Sequence, residues 1–261
     1  MSHTADVNKQ YFDKEAATYD TRHDKALTQI IEEIRSRLDF LGVDWAEDED
    51  DDSSDHDGEG KGGVKAPKKP VRLLDYACGT GTISRALAPY TTQCVGIDLS
   101  EGMVSAYNTR AENQGLAKEE MYAYQGDLCK ADDEKPEQFE GEEFYGFDVA
   151  AVGLGFHHFD NPSLAASRLV SRLKPGGVLM IVEFYSHGDV NDLHDHPAKH
   201  TVKHHGFSQE EMRGIFEQAG AGEKFAVADI GRGGGDEEEV VYCAWHEALG
   251  VQRHLKGLEE R

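Results

Sequence analysis

The chain has few cysteines and few basic residues, and it has no long apolar run. Its four cysteines, Cys78, Cys94, Cys129 and Cys243, are scattered without a CxxC pair, which argues against a disulfide framework or a zinc knuckle. The 27 Lys and Arg against 50 Asp and Glu give a formal net charge of −23, which disfavours nucleic-acid binding because phosphate is repelled. No stretch approaches the roughly 20 apolar residues of a membrane span, and no signal peptide is evident. We therefore expect a cytoplasmic protein, with a nuclear location left open.

The acidic residues are unevenly distributed along the chain. Nine of them lie between Glu47 and Glu59, and the chain then becomes Gly-rich and finally basic, up to Pro70. Such a segment buries too little surface to offset its ordering entropy, so we predict a solvated insertion at 47–70. Docking of a protein partner is the alternative. The insertion separates an N-terminal helical segment, 1–46, from a core domain, 71–246, and a tail follows at 247–261.

The apolar pattern indicates an α/β domain. One helical stripe precedes the insertion and comprises Leu27, Ile30, Ile31, Ile34, Leu38 and Leu41. After the insertion, short β-rich runs alternate with amphipathic ones, in the order VRLLDY, CVGIDL, MYAYQGD, FDVAAVG and VLMIVEF. Near the end, Ser208 and Glu211 form a capping box, and two extended runs follow in succession. The pattern predicts a doubly wound, mostly parallel sheet closed by a terminal antiparallel strand.

The segment LLDYACGTGTIS, residues 73–84, carries the strongest chemical signal. Gly79 and Gly81 allow backbone to approach a ligand closely, and the amides at a helix start suit a carboxylate or phosphate. Ser84, not glycine, occupies the third position of the dinucleotide fingerprint GxGxxG, where glycine permits close helix packing. A nicotinamide cofactor is thus disfavoured, and a plain strand-to-helix turn remains the alternative reading.

Acidic residues end the next two strands. Asp98 follows VGI and is placed to bind both hydroxyls of a ribose, while Ser100 can cap the following helix. Asp127 ends the third strand. Three acids, Asp75, Asp98 and Asp127, therefore meet at the carboxyl edge of the sheet and predict a site there.

In these motifs the sequence resembles the class I S-adenosylmethionine-dependent methyltransferases, in particular the small-molecule branch of the ubiquinone and menaquinone biosynthesis enzymes. The resemblance runs from about Tyr11 to Ala219 and implies a seven-stranded, Rossmann-like methyltransferase fold. It implies that S-adenosylmethionine is the cofactor and S-adenosylhomocysteine the product. The cofactor-binding residues that it implies are Asp75, Ala77, Gly79 and Gly81 for the methionine portion, Asp98 for the ribose, Leu99, Met103, Asp127 and Leu128 for the adenine, Gly153 at the fourth strand, and Tyr11 or Tyr19 in an N-terminal segment folded over the cofactor.

Two histidines follow the fourth strand, at the edge where the methyl group should point. A histidine near the proton of a hydroxyl or thiol acceptor can act as a base, since its unperturbed pKa lies near operating pH. We therefore take His157 and His158 as candidate catalytic residues. The alternative is a loop histidine that bonds to backbone or lines the pocket without taking part in the reaction.

Six of the 13 histidines lie between His187 and His205. We interpret the stretch 186–206 as a lid over the acceptor, with His200, His204 and His205 as substrate-facing residues. A metal site is the less favoured alternative, because only His200 and His204 have helical i, i+4 spacing and no cysteine joins them.

The resulting prediction is a methyltransferase that acts on a small molecule by in-line displacement. Two alternatives stay open: a cofactor-binding scaffold of the same fold without turnover, and a protein methyltransferase. The fourth strand continues into GLGFHHF instead of an Asn-Pro-Pro-Tyr segment, which disfavours methylation of planar amide or base nitrogens.

Overall fold

The computed structural model describes residues 2–46, 69–185, 198–221, 224–232 and 240–247. Most of the predicted insertion, the first part of the predicted lid and most of the predicted tail lie outside these ranges. None of the helices within them combines the length and the apolar character that crossing a bilayer requires.

A mostly parallel sheet forms the centre of the molecule. Its strands are β1 (Arg72–Tyr76), β2 (Gln93–Asp98), β3 (Met121–Gln125), β4 (Phe147–Gly153), β5 (Leu173–Phe184), β6 (Ala226–Arg232) and β7 (Val240–Glu247). They lie in the order β3-β2-β1-β4-β5-β7-β6. The first five pair in parallel, whereas β7 runs antiparallel to both β5 and β6. The predictions of a mostly parallel sheet and of an antiparallel pair at its edge are confirmed.

Seven α-helices accompany the strands within the described ranges. They are α1 (His3–Glu15), α2 (Tyr19–Arg35), α3 (Leu38–Leu41), α4 (Thr82–Leu87), α5 (Glu101–Asn113), α6 (Pro162–Val170) and α7 (Gln209–Gln218). Two short 3₁₀ turns, Phe156–His158 and Lys199–Thr201, lie near the site discussed below.

The core lies on both faces of the sheet because successive side chains of each strand point to opposite sides. Leu73 packs in one cluster with α2, α4 and α5, and its neighbour Leu74 packs in the other with α6 and α7. Val149 and Ala150 divide between the two clusters in the same way. Strands buried on both faces are apolar throughout, which explains the continuous hydrophobic runs of the sequence.

One expectation about the N-terminal helix is wrong. The apolar stripe from Leu27 to Leu41 was expected on a single helix, but α2 ends at Arg35 and α3 is a separate turn. At the break, the Ser36 hydroxyl donates to the carbonyl of Glu33 at 2.8 Å, and Arg37 leaves helical geometry with φ −126°. Such local side-chain bonds compete with the helical ladder. The capping box of Ser208 and Glu211 at the start of α7 is confirmed.

Candidate functional site

The turns after β1 and β4 form the floor of the candidate site. Ala77 and Leu154 have φ of 53° and 54°, the left-handed region that side chains other than glycine rarely adopt. Gly79 and Gly81 also have positive φ, at 51° and 93°. Backbone strain of this kind persists where surrounding structure enforces it, and it concentrates at ligand-binding sites.

The two glycines differ in their surroundings. A Cβ at Gly81 would lie 2.8 Å from Cδ2 of Tyr107, so this glycine lets α5 pack against the turn. A Cβ at Gly79 would meet no atom within 4 Å. The surface at Gly79 is therefore open to a ligand, and that at Gly81 is not.

Asp98 joins this turn to the end of β2. Its Oδ2 accepts from the backbone N–H of Gly79 at 2.8 Å, and its Oδ1 accepts from that of Ser100 at 2.8 Å. The side chain is almost buried, and burial raises its pKa to about 6 although the bonds from Ser100 and Gly79 act in the opposite direction. An ionised carboxyl has about four acceptor positions. Two backbone donors therefore leave acceptor capacity for a ligand with hydroxyl groups.

Asp75 has a different place from the one that the sequence suggested. It is 1% exposed, and its Oδ2 accepts from the N–H and the hydroxyl of Ser84 at 3.0 and 2.7 Å. Its Oδ1 is buried without a partner in the described structure. Burial, with the charge of Asp98 acting in the same direction, raises the pKa of Asp75 to about 7. Asp75 thus lies beneath the turn and fixes α4, and it does not line the open surface.

The residues expected around an adenine also divide into two groups. Met103 and Leu128 are each 1% exposed, whereas Leu99 and Asp127 are partly exposed. Oδ1 of Asp127 accepts from the Tyr76 hydroxyl at 3.1 Å and from the N–H of Cys129 at 2.8 Å. These bonds hold Oδ1 and leave acceptor capacity at Oδ2.

Gly153, at the end of β4, has a packing role in this structure. A Cβ there would lie 2.6 Å from Cγ1 of Ile83, so glycine allows α4 to approach the sheet. Its predicted part in cofactor binding stays a prediction.

Helix α1 crosses the carboxyl edge of the sheet and is bonded at both sides of the site. Oδ1 of Asp13 accepts from the Ser100 hydroxyl at 2.7 Å and from the N–H of Gly102 at 3.0 Å. Toward the other side, the Asn8 amide donates to the carbonyl of His158 at 3.3 Å. The helix therefore covers the region between Asp98 and the turn after β4.

The second N-terminal helix continues this cover. Asp20 accepts from the Thr80 hydroxyl at 2.5 Å and pairs with Arg110. Burial raises the pKa of Tyr19, and the charge of Asp98 acts in the same direction. The ring of Tyr11 packs edge-on against His200, with centroids 5.3 Å apart. Tyr11 thus lies beside the described part of the predicted lid.

His157 and His158 differ sharply in their environments. His157 donates its backbone N–H to Oε2 of Glu183 at 3.0 Å, and its Nδ1 lies 2.8 Å from Oε1 of the same residue. His158 has its Nδ1 3.0 Å from the carbonyl of Thr201. Burial, with His157 acting in the same direction, lowers the pKa of His158 to about 3, so His158 is neutral and a weak proton acceptor at physiological pH. The environment of His158 thus argues against its predicted role as a base.

The described part of the predicted lid, from residue 198 onward, is bonded to the turn after β4. The N–H groups of Lys203 and His204 both donate to the carbonyl of His157, at 3.0 and 3.1 Å, and Nε2 of His204 lies 3.0 Å from the carbonyl of Phe159. The 3₁₀ turn ends at Thr201, so His200 and His204 do not share a helix as the metal alternative required. Across the described ranges, no three His, Cys, Asp or Glu side chains are grouped so as to hold a metal ion. His200 and His205 are exposed.

Sequence reasoning missed several residues that build this site. Glu183 had a visible signal, because it is a lone acid at the end of the apolar run VLMIVEF. Asp13 and Asp20 lie within the segment YFDKEAATYD, but nothing in the sequence shows which strand edge they reach. The strained conformation of Leu154 has no sequence signal.

A family model described as "Methyltransferase domain" matches residues 28–221. An uncharacterized methyltransferase of Schizosaccharomyces pombe is 36% identical over 156 residues, which cover 58% of this chain and 54% of that protein. A demethylmenaquinone methyltransferase of Clavibacter sepedonicus is 34% identical over 119 residues, or 46% of this chain and 43% of that protein. The matches thus span about half the length of these relatives.

Solved structures show the same fold. A methyltransferase of Haloferax volcanii, solved in complex with the Trm112 methyltransferase activator, aligns with a TM-score of 0.60 at 16% identity, over 91% of this chain and 97% of that one. A phosphoethanolamine N-methyltransferase of Haemonchus contortus, solved with S-adenosyl-L-methionine, aligns with a TM-score of 0.52 at 16% identity, over 71% of this chain and 50% of that one.

Proposed function

This chain belongs to the methyltransferase domain family, and on that premise we propose that it transfers a methyl group from S-adenosylmethionine to a small-molecule acceptor. One observation carries the proposal: the 2.8 Å bond from Gly79 N–H to Asp98 Oδ2, which fixes a nearly buried carboxylate beside an open glycine surface. A carboxylate in that position suits the two ribose hydroxyls of the cofactor.

The residues present fit this cofactor. Asp98 retains acceptor capacity after its two backbone bonds, and Gly79 offers free space where a side chain would intrude. Asp127 has acceptor capacity at Oδ2 for an adenine amino group. We propose that these residues hold the ribose, the methionine portion and the adenine respectively, and that Leu99 packs against the adenine.

We further propose that the buried residues support the site from below. Asp75 fixes α4, Ala77 and Gly81 shape the turn, and Met103 and Leu128 pack under the adenine side. The N-terminal segment with Tyr11 and Tyr19 covers the cofactor. Gly153 remains proposed as a residue near its methionine end.

Bound S-adenosylmethionine supplies an electrophilic methyl group on a sulfonium, and its charge is what makes displacement possible. The protein must hold an acceptor atom in line and exclude water. The cover formed by α1 and by residues 198–206, which includes His200, His204 and His205, provides that enclosure in our proposal. We propose that His157 accepts a proton from the acceptor.

The relatives support a small acceptor, since one of them is named as a demethylmenaquinone methyltransferase. Two other functions remain as alternatives: a scaffold that binds the cofactor without turnover, and a protein methyltransferase. Docking of a protein partner through the acidic insertion, 47–70, also stays a proposal. Residues 47–68 of that insertion lie outside the described ranges.

Turnover separates these possibilities. Purified protein should be incubated with methyl-labelled S-adenosylmethionine and small-molecule extracts or basic peptides, and formation of S-adenosylhomocysteine should be measured. We expect label in the small-molecule fraction. Label in peptide would favour protein methylation, and cofactor binding without any transfer would favour the scaffold.

A further inference from the structure

A buried carboxyl and a histidine form a pair at the acceptor side of the sheet. Glu183 ends the apolar part of β5 and is fully buried, and His157 lies in the 3₁₀ turn after the neighbouring strand β4. No sequence motif joins these two positions. Their pairing is a product of the parallel β4–β5 register, which brings both strand ends to the same edge.

Glu183 accepts three hydrogen bonds in the described structure. The backbone N–H of His157 donates to Oε2 at 3.0 Å, and the backbone N–H of Phe184 donates to Oε1 at 2.8 Å. The third contact joins Oε1 to Nδ1 of His157 at 2.8 Å. An ionised carboxyl can only accept, so Nδ1 carries the ring proton. The tautomer assigned to His157 therefore has an unprotonated Nε2.

The surroundings leave Nε2 of His157 available. About a tenth of the side chain is exposed, and within the described ranges Nε2 has no hydrogen-bond partner. The neighbouring His158 ring lies 4.0 Å away, centroid to centroid, and is neutral. Asn8 of α1 covers the same turn, and its Oδ1 is buried without a partner. An unprotonated ring nitrogen therefore lies in the turn after β4, and an unused amide oxygen lies on α1, which is bonded to that turn.

We propose that Glu183 is a positioning residue which holds His157 as the Nδ1–H tautomer, so that Nε2 accepts the proton of a hydroxyl or thiol acceptor. This inference rests on the proposed function and deepens it, since it specifies an acceptor whose nucleophilic atom carries a removable proton. The acceptor O–H or S–H proton moves to Nε2, and the freed electron pair of oxygen or sulfur forms the new bond to the methyl carbon. The carbon–sulfonium bond breaks with its electrons on sulfur, and the histidine later releases its proton to solvent.

The pairing makes an unusual prediction for Glu183→Gln. A glutamine cannot accept at both positions, because one carboxyl oxygen becomes an NH₂ donor. If that NH₂ faces Nδ1, the ring proton must move to Nε2 and the proton acceptor is lost, and the N–H of Phe184 also loses its acceptor. If it faces the N–H of His157, two donors oppose each other and the turn is disturbed.

The test is long-range ¹H–¹⁵N NMR of protein labelled with ¹⁵N-histidine, in which a His157→Gln variant assigns the resonance. The wild-type spectrum should show His157 protonated at Nδ1 and not at Nε2 when neutral. Glu183→Gln should move the proton to Nε2, give both forms, or, where its NH₂ faces the N–H of His157, keep the tautomer and shift the backbone amide resonance of His157. A wild-type His157 protonated at Nε2 would overturn the inference, and so would a folded Glu183→Gln variant in which both the tautomer and the backbone amide resonance are unchanged.

Asp148→Asn is the matched control, because Asp148 is another buried acid but lies at the opposite end of β4, where it accepts from the N–H of Arg72 at 2.8 Å. It should leave the His157 tautomer unchanged. If Glu183→Gln does not fold, the wild-type spectrum alone still decides the tautomer.

Calorimetric binding of S-adenosylmethionine separates this inference from the proposed function. An absence of cofactor binding in a protein with the Nδ1–H tautomer would reject the proposed function alone. Normal cofactor binding with the opposite tautomer would reject the inference alone.

With catechol and a small-molecule thiol as probe acceptors, His157→Gln and Glu183→Gln should each lower kcat by about 100-fold, the lower end of the contribution of a positioned base. If a probe is methylated at equal rates by wild type and His157→Gln, that result would contradict the role of His157 as proton acceptor.

Discussion

Replacement of Asp75 by asparagine should change how stability depends on pH. The folded protein holds the pKa of this carboxyl at about 7, above the ordinary value of 3.8, chiefly because the group is buried. Below about pH 4 the carboxyl is protonated in both the folded and the unfolded state, so folding does not require burial of a charge. As pH rises toward 7, the unfolded chain ionises first, so wild-type stability falls.

The size of the effect follows from the shift. A difference of about three pKa units, at about 1.4 kcal/mol each, corresponds to about 4 kcal/mol. The asparagine variant lacks this titration, so its stability relative to wild type should improve by about 4 kcal/mol between pH 4 and pH 8. The Ser84 donors can still bond to the amide oxygen.

Urea unfolding followed by circular dichroism, at intervals from pH 4 to pH 8, measures this difference. Asp98→Asn should give a change of the same sign, about 3 kcal/mol, since the pKa of Asp98 is raised to about 6. If the free energies of unfolding of wild type and Asp75→Asn differ by a constant amount from pH 4 to pH 8, the reasoning is refuted.

Four further substitutions test three separate parts of the structure. Gly79→Ala should lose about 1 kcal/mol of stability, because its φ of 51° disfavours a side chain, and should bind S-adenosylmethionine poorly. Gly81→Ala, whose Cβ would also meet Tyr107, should lose several kcal/mol. Equal losses of stability in the two variants would contradict our account of the turn. Ser208→Ala removes the cap of α7 and should lower the free energy of unfolding by about 1 kcal/mol, with no change in cofactor affinity. Asp13→Ala removes the bonds from α1 to the start of α5 and should speed proteolysis within α1, while unchanged cleavage would show that these bonds do not hold the cover.

Much of the fold could be predicted because it depends on local patterns. The apolar runs of strands buried on both faces, the small-residue turn after β1 and the cap of Ser100 on α5 are all visible in the sequence. The separation of α2 from α3 was missed because the apolar stripe continues through the break. At the break, the Ser36 hydroxyl bonds to the backbone and Arg37 has a non-helical conformation.

The candidate site was only partly predictable for a physical reason. Sequence position showed that Asp75 and Asp98 end neighbouring strands, but not that one carboxyl faces α4 beneath the turn while the other faces the site. Burial separates them, and burial depends on packing between distant segments. The pairing of Glu183 with His157 likewise depends on the β4–β5 register, across 26 positions of sequence.

The most direct test of the central claim is calorimetric titration of wild type and Asp98→Ala with S-adenosylmethionine and S-adenosylhomocysteine, with Asp148→Asn as a control for the loss of a buried acid. Hydrogen bonds to a charged group contribute about 1.5–3 kcal/mol each, so loss of two ribose contacts should weaken binding by about 100-fold or more. We predict micromolar binding by wild type and Asp148→Asn and none detectable by Asp98→Ala. An absence of binding by wild type, or full affinity in Asp98→Ala, would contradict the account.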